Sequence, residues 1–200
     1  MRTRIAVLVS GGGTNLQALI DARDRGELSS GRLALVVSNS AGAYAIKRAE
    51  KAGIPAALCL RAKGEPREDF ESRLLAILSE YGIDMIVLAG FMAILSAEFV
   101  AHYPDRIINI HPSLIPSFCG EGYYGLRVHR AALDYGGKVT GATVHFVNEI
   151  PDGGRIIAQK AVDILPNDTP ETLQRRVMEQ AEWVLLPRAT ESVAKGLSEK

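Results

Sequence analysis

Short runs of uninterrupted apolar residues alternate along this chain with longer stretches whose apolar positions recur every three or four residues. The first kind fits strands buried on both faces, the second amphipathic helices. Arg4–Val9 is the first run; a glycine loop follows, then a helix carrying Leu16, Leu19 and Ile20. Leu33–Val37 is a second run, closed by Ser38, Asn39 and Ser40. A helix near Tyr44–Ala52 stops at Gly53, the residue type that a left-handed helix end favours. Ala56–Leu60 predicts a third strand, and Phe70, Leu74, Ile77, Leu78 and Tyr81 recur at helical spacing until Gly82. Met85–Ala89 predicts a fourth strand, Ser96 the start of a short helix bounded by Pro104, and Arg106–Ile110 a fifth strand. Strands and helices in this alternation predict a parallel sheet covered on both faces.

Beyond a helix around Arg130–Tyr135 the pattern changes. Val139–Val147 and Arg155–Ile164 are extended runs joined through Pro151-Asp152-Gly153-Gly154, a connection that only antiparallel strands allow. Thr169 can cap a last helix with Pro170 at its first position, and Leu173, Val177, Val184 and Leu185 face inward. Pro187 is expected to kink that helix or split it in two. The expected fold is α/β: an open, mostly parallel Rossmann-like sheet with helices on both faces and an antiparallel hairpin near the C-terminal part, forming one domain over residues 1–200.

Composition narrows the function classes. With Lys+Arg 23 against Asp+Glu 23 the formal net charge is zero, which argues against a partner such as nucleic acid or an anionic membrane held by bulk electrostatics. The longest near-apolar run, Met85–Leu95, falls short of the roughly 18 residues that a membrane span needs. Ile5–Val9 is too short for a signal-peptide core. Cys59 and Cys119 stand far apart with no C-x-x-C, so neither a structural zinc site nor a disulfide framework is expected, and the default compartment is the cytoplasm.

Four places carry candidate chemistry. Ser10-Gly11-Gly12-Gly13-Thr14-Asn15 lies between a strand and a helix, where backbone N–H groups and the helix dipole favour an anion. The third glycine of a dinucleotide fingerprint is replaced by Leu16, and there is no G-K-[S/T], so the loop suits one phosphate, as on a sugar phosphate; the plainer reading is a tight turn. Asn109 and His111 sit at i and i+2 at the end of the fifth strand and point the same way, toward the sheet edge where ligands bind in open α/β folds. A neutral donor beside a proton carrier suits a developing oxyanion plus general acid chemistry. His102, His129 and His145 read as core histidines satisfied by carbonyls, and no histidine pair at i, i+4 suggests a metal. Asp152 reads as a turn aspartate bonded to its own backbone, and spacing does not bring it to His111. Gly90–Leu95 either floors a flat aromatic ligand or continues the core, while Arg67 and Lys63 read as a solvated loop.

These residues together resemble a known family. Ser10–Leu19, Leu88-Ala89-Gly90-Phe91-Met92, Asn109-Ile110-His111-Pro112-Ser113-Leu114-Ile115-Pro116 and Thr143–Val147 with Asp152-Gly153-Gly154 are similar, in that order, to the phosphoribosylglycinamide formyltransferases, which use 10-formyltetrahydrofolate. The likeness runs from about Arg4 to Pro187. It implies formyl transfer from that cosubstrate to the glycine amine of 5'-phosphoribosylglycinamide in purine (IMP) biosynthesis, with small-molecule substrates and no metal. It implies that Asn109, His111 and Asp152 are catalytic, and that Asp152 raises the His111 pKa. Gly12, Gly13, Thr14 and Asn15, with Glu179 and Glu182, would hold the ribonucleotide. Arg67, Met92, Ala93, Ile94, Leu95, Asn109 and the stretch Val147, Asn148, Glu149, Ile150, Pro151, Asp152 would hold the folate. Ala93 stands where some members have arginine, and Ser117–Leu126 is longer than in short-loop members, which displaces Arg127 and His129 from a clear match.

Three rival readings share parts of this pattern. A methionyl-tRNA formyltransferase should carry a further carboxyl-terminal domain and a basic surface. A formyltetrahydrofolate deformylase should carry an amino-terminal regulatory domain. A sugar-phosphate sensor would use the glycine loop but has no reason to pair Asn109 with His111. The expectation from the sequence is the transferase.

Overall fold

The computed structural model of the protein describes residues 1–199. Among them seven strands form one sheet in the order β3-β2-β1-β4-β5-β6-β7. The parallel part comprises β1 (Thr3–Val9), β2 (Gly31–Ser38), β3 (Ala56–Leu58), β4 (Met85–Leu88) and β5 (Ile107–His111). Strands β6 (Val139–Phe146) and β7 (Ile156–Asp163) add antiparallel to β5 and to each other, as the short connection between them requires. The third strand is shorter than its apolar run, because β3 is an edge strand that pairs with β2 only from Ala56 to Leu58 and leaves Leu60 exposed.

Alternation along β1 divides the core. Ile5, Val7 and Val9 join one apolar cluster, while Ala6 and Leu8 join the other on the opposite face. The first cluster is closed by α1 (Thr14–Asp24), α2 (Tyr44–Lys51) and the last helices, the second by α3 (Arg67–Glu80) and α4 (Ala97–Ala101). Helix α5 (Leu126–Asp134) packs beside α6 (Pro170–Val177). Thr169 caps α6 by accepting from the Thr172 amide, and Pro170 occupies its first turn. None of the described helices is long and apolar enough to cross a membrane.

The proline expectation needs correction. Pro187 lies inside α7 (Trp183–Ser198) without ending it. The irregularity falls earlier, in a π-helical turn at Met178–Glu182. The carbonyl that the proline ring would press on is that of Trp183, four residues earlier, so the wide turn ends just ahead of that contact. Of the four inward positions, Leu173, Val177 and Leu185 are buried, whereas Val184 is half-buried and Leu186 fills the core instead.

The strand ends place the functional elements. Chain β1–β2–β3 runs outward in one direction and β4–β5 in the other, so the switch of strand order falls between β1 and β4. The glycine loop leaves β1 there and Gly90 leaves β4, joined by the Ser10 amide donating to the Gly90 carbonyl at 3.1 Å. A crevice at such a switch point is where open α/β sheets bind ligands.

Gly13 answers to the fold as well as to any ligand. It stands at φ 71 just before α1, and a Cβ on it would lie 2.6 Å from the Ala45 Cβ and 2.9 Å from the Ala45 Cα in α2. Gly12 faces open space. Gly13→Ala is therefore expected to cost about 2 kcal/mol of stability through overpacking and an unfavourable φ, and Gly12→Ala less than about 0.5 kcal/mol. Urea unfolding of both variants checks this. A Gly13→Ala midpoint equal to that of the parent would mean that the close approach to α2 is no constraint.

Candidate active site

A cleft of about 680 Å³ opens at the carboxyl edge of the sheet, over the switch point. Thr14 and Asn15 line one end, Gly90–Ile94 and Asn109–Pro112 the middle, and Pro151 and Asp152 the far wall. The segment Gly120–Gly125 and the face of Met178 and Glu182 cover it from the other side.

Asp152 is where the geometry departs most from the expectation of a self-bonded turn residue. It takes a left-handed conformation, φ 56, and turns its carboxylate into the protein. Its Oδ2 lies 3.3 Å from His111 Nδ1 and accepts from the Gly120 amide at 2.9 Å. Its Oδ1 lies 3.4 Å from Asn109 Nδ2 and 3.5 Å from His145 Nε2. Burial alone would raise this carboxyl, but the His145 contact, the His111 ring and the Gly120 N–H outweigh it and hold the group below its ordinary value. Asp152 is thus an anion around which Asn109 and His111 are gathered.

His111 is 4% exposed. Its Nε2 lies 2.9 Å from the Phe118 carbonyl, so both ring nitrogens face oxygen acceptors. The expectation that Asp152 lifts this pKa above normal is corrected in its net direction. Burial pushes the ring below its ordinary value and prevails, although Asp152 and the Phe118 carbonyl both pull upward. Removing an imidazolium from water costs more here than one neighbouring carboxylate returns.

At the glycine-loop end, Asn15 donates through Nδ2 to Glu182 Oε2 at 2.6 Å. Burial pushes the Glu182 carboxyl up, and the Asn15 contact opposes it. The Asn15 Oδ1 is buried without a partner. Thr14 is exposed at the first position of α1. Glu182 therefore lines the cleft. Glu179, three residues earlier on the wide turn, points to solvent and lines a separate shallow surface depression with Arg175 and Arg176.

A narrower slot of about 120 Å³ branches from the Asn109 side. Ala93, Ile94 and Leu95 form one wall and Val147–Asp152 the other. Met92, Ile94 and Ile150 remain 53%, 51% and 59% exposed, a patch of apolar side chains around a polar opening. The floor segment is held at its far end by Glu71, which is buried and accepts from the Ser96 amide at 2.8 Å and from the Ser96 hydroxyl. Arg67 opens α3 in solvent and lines neither cavity, and Lys63 is likewise exposed.

The other three histidines differ from the uniform expectation. His102 is exposed, with Nδ1 2.9 Å from the Glu98 carbonyl. His145 is the satisfied core histidine, its Nδ1 2.8 Å from the Phe146 carbonyl. Its Nε2 lies between Asn109 Nδ2 at 3.2 Å and Asp152 Oδ1 at 3.5 Å. Sequence reasoning missed this residue, although its register opposite Asn109 in the antiparallel β5–β6 pair is what brings the two together. His129 is fully buried, yet neither ring nitrogen has a partner.

Comparison with known proteins adds the following. Residues 3–190 match the formyl transferase family. The chain is 42% identical over 180 residues to the chloroplastic phosphoribosylglycinamide formyltransferase of Arabidopsis thaliana, covering 90% of this chain and 61% of that protein. It is 45% identical over 195 residues to the human trifunctional purine biosynthetic protein adenosine-3, covering 98% of this chain and 19% of that protein. The chain thus spans less than two thirds of either relative. Among solved structures, glycinamide ribonucleotide transformylase 1 from Symbiobacterium toebii superposes with a TM-score of 0.91 at 42% identity, covering 98% of this chain and 89% of that one.

His129 makes stability depend on pH. Burial, with His111 nearby, lowers its pKa to about 4 from an ordinary 6.5. The unfolded chain therefore takes up this proton first, so the contribution of the neutral ring is complete above pH 6.5 and is lost as pH falls toward 4. The lowered His111 acts in the same direction. Between pH 7 and pH 5 His129 alone should cost about 2 kcal/mol. Urea unfolding at both values should give a smaller drop for His129→Leu than for the parent; equal drops would assign the effect to other groups.

Proposed function

The chain belongs to the formyl transferase family, and from that membership we propose that it moves a formyl group from 10-formyltetrahydrofolate to the glycine amine of 5'-phosphoribosylglycinamide, within one formyl transferase domain. The observation that carries this reading is the Asp152 carboxylate, within 3.3 Å of His111 Nδ1 and 3.4 Å of Asn109 Nδ2, in a cleft that joins a glycine loop to an apolar slot. A binding protein for sugar phosphates needs the loop but not a buried Asn–His–Asp group. The names of the relatives support the same substrates and a place in purine synthesis. The reading sets the reaction on two small molecules in the cytoplasm.

In this reading Gly12, Gly13, Thr14 and Asn15 receive the ribonucleotide's phosphate at the N-terminus of α1, where free N–H groups and the helix dipole favour an anion. Glu182 accepts hydrogen bonds from the ribonucleotide beyond it. The folate ring occupies the slot between Met92–Leu95 and Val147–Asp152, with Ala93 contributing backbone only. Arg67 and Glu179 stay solvated.

The glycine amine attacks the formyl carbon and the carbonyl electron pair moves onto oxygen. Asn109 Nδ2 exchanges its long 3.4 Å contact with Asp152 for that oxygen, and His111 Nε2 exchanges the Phe118 carbonyl for it. The growing negative charge opposes the burial penalty on the ring, so its proton affinity rises as the oxyanion forms, while Asp152 holds Nδ1. Collapse breaks the bond to the folate nitrogen, which takes up a proton as the amine gives one up.

The basic test is to mix purified protein with 10-formyltetrahydrofolate and the ribonucleotide and follow folate absorbance. No change would remove the reading, and formate release without the ribonucleotide would favour a deformylase. Asp152→Asn should keep the fold, lower the His111 pKa further and reduce kcat roughly 10²- to 10⁴-fold, with each KM shifting little. His111 ring resonances followed by NMR across pH give the pKa directly. An unchanged His111 pKa in the variant would assign any loss of rate to loop geometry instead.

A further inference from the structure

Ser10 is the first residue of the glycine loop, but its side chain faces away from the phosphate end of the cleft. Its hydroxyl donates to Asn39 Oδ1 at 2.6 Å and accepts from the Met92 amide at 2.8 Å. A serine hydroxyl has one proton and two lone pairs. Asn39 takes the proton, which leaves a lone pair directed at the Met92 N–H. Its own amide donates to the Gly90 carbonyl at 3.1 Å, and one rung earlier the Ala89 amide donates to the Leu8 carbonyl at 3.0 Å. The hydroxyl therefore extends the β1–β4 pairing one step past the end of β4, onto a segment that belongs to no strand or helix.

That segment needs the anchor. Gly90 turns at φ 74, and Met92 and Ile94 carry their apolar side chains half in solvent. Burial holds one side of this stretch, where Phe91, Ala93 and Leu95 pack on the core, and leaves the Met92 and Ile94 side, which lines the cleft, to its hydrogen bonds. Its far end is tied by Ser96 to Glu71, its near end by Met92 to Ser10.

We infer that Ser10 is a positioning residue for the formyl donor: a side chain of the phosphate loop that holds the Gly90–Leu95 floor and acts on the other substrate. The inference rests on reading that floor as the folate side of the cleft. It makes an asymmetric forecast, since a change in the phosphate loop should weaken the donor and spare the ribonucleotide.

The test uses Ser10→Ala, which removes both side-chain bonds, and Ser10→Thr, which keeps the hydroxyl. Steady-state kinetics with both substrates and hydrogen exchange at the Met92 amide are measured on the full chain. In Ser10→Ala the donor KM should rise about five-fold, the effect of one hydrogen bond of ordinary net strength. The ribonucleotide KM and kcat at saturating donor should stay within about two-fold, and the Met92 amide should lose protection. Ser10→Thr should restore donor KM and protection together. An unchanged donor KM, a loss carried by the ribonucleotide instead, or a Met92 amide equally protected in Ser10→Ala overturns the inference. Absence of turnover in the parent protein would remove the proposed function, while Met92 exchange would still report whether Ser10 holds the floor.

Discussion

The Asp152 carboxylate stands within 3.5 Å of four separate groups: the His111 ring, the Asn109 amide, the His145 ring and the Gly120 N–H. They come from β5, β6 and the long loop before α5, and nothing in local sequence ties them together. A largely buried carboxylate that stays ionised has to be surrounded by donors. Meeting that need fixes the turn between β6 and β7, the loop around Gly120 and the orientation of both catalytic candidates at once. The left-handed conformation of Asp152, disfavoured for a residue with a side chain, fits a turn held by the contacts of its carboxylate.

The sheet makes those contacts reachable. Antiparallel addition of β6 to β5 sets His145 directly opposite Asn109 and Thr143 opposite His111. The hairpin then returns Asp152 over the end of β5. A further parallel strand would have required a long crossover and would have delivered its loop elsewhere. The change from parallel to antiparallel pairing is thus what places an acidic turn beside a strand-end histidine.

Much of this was readable from residue pattern. The apolar runs located the strands because a parallel sheet covered on both faces leaves no polar alternation to confuse them, and Asn109 and His111 stood out through their i, i+2 spacing. Asp152 did not, because its function arises from tertiary approach and a turn aspartate has an adequate local explanation. The sign of the His111 shift was misjudged for a related reason: a charge partner can be guessed from motif, but the depth of burial opposing it depends on the whole fold. His129 and His145 look alike in sequence, yet one is bonded through both nitrogens and the other through neither. Glu179 and Arg67 were assigned by resemblance, and the helix phase turns both to solvent.

The wide turn at Met178–Glu182 has a consequence for how this helix tolerates change in length. One residue of an ordinary helix corresponds to about 100° of rotation. The wide turn takes up one extra residue without that rotation, so Leu173 and Val177 face the core before it, Leu186 still faces the core after it, and Glu182 faces the cleft within it. A one-residue deletion there would restore a regular helix with both apolar stripes still facing the core, and would remove the offset that turns Glu182 into the cleft. The wide turn works as a slip joint: it lets the chain carry one residue more than the core face requires and spends that residue on the cleft.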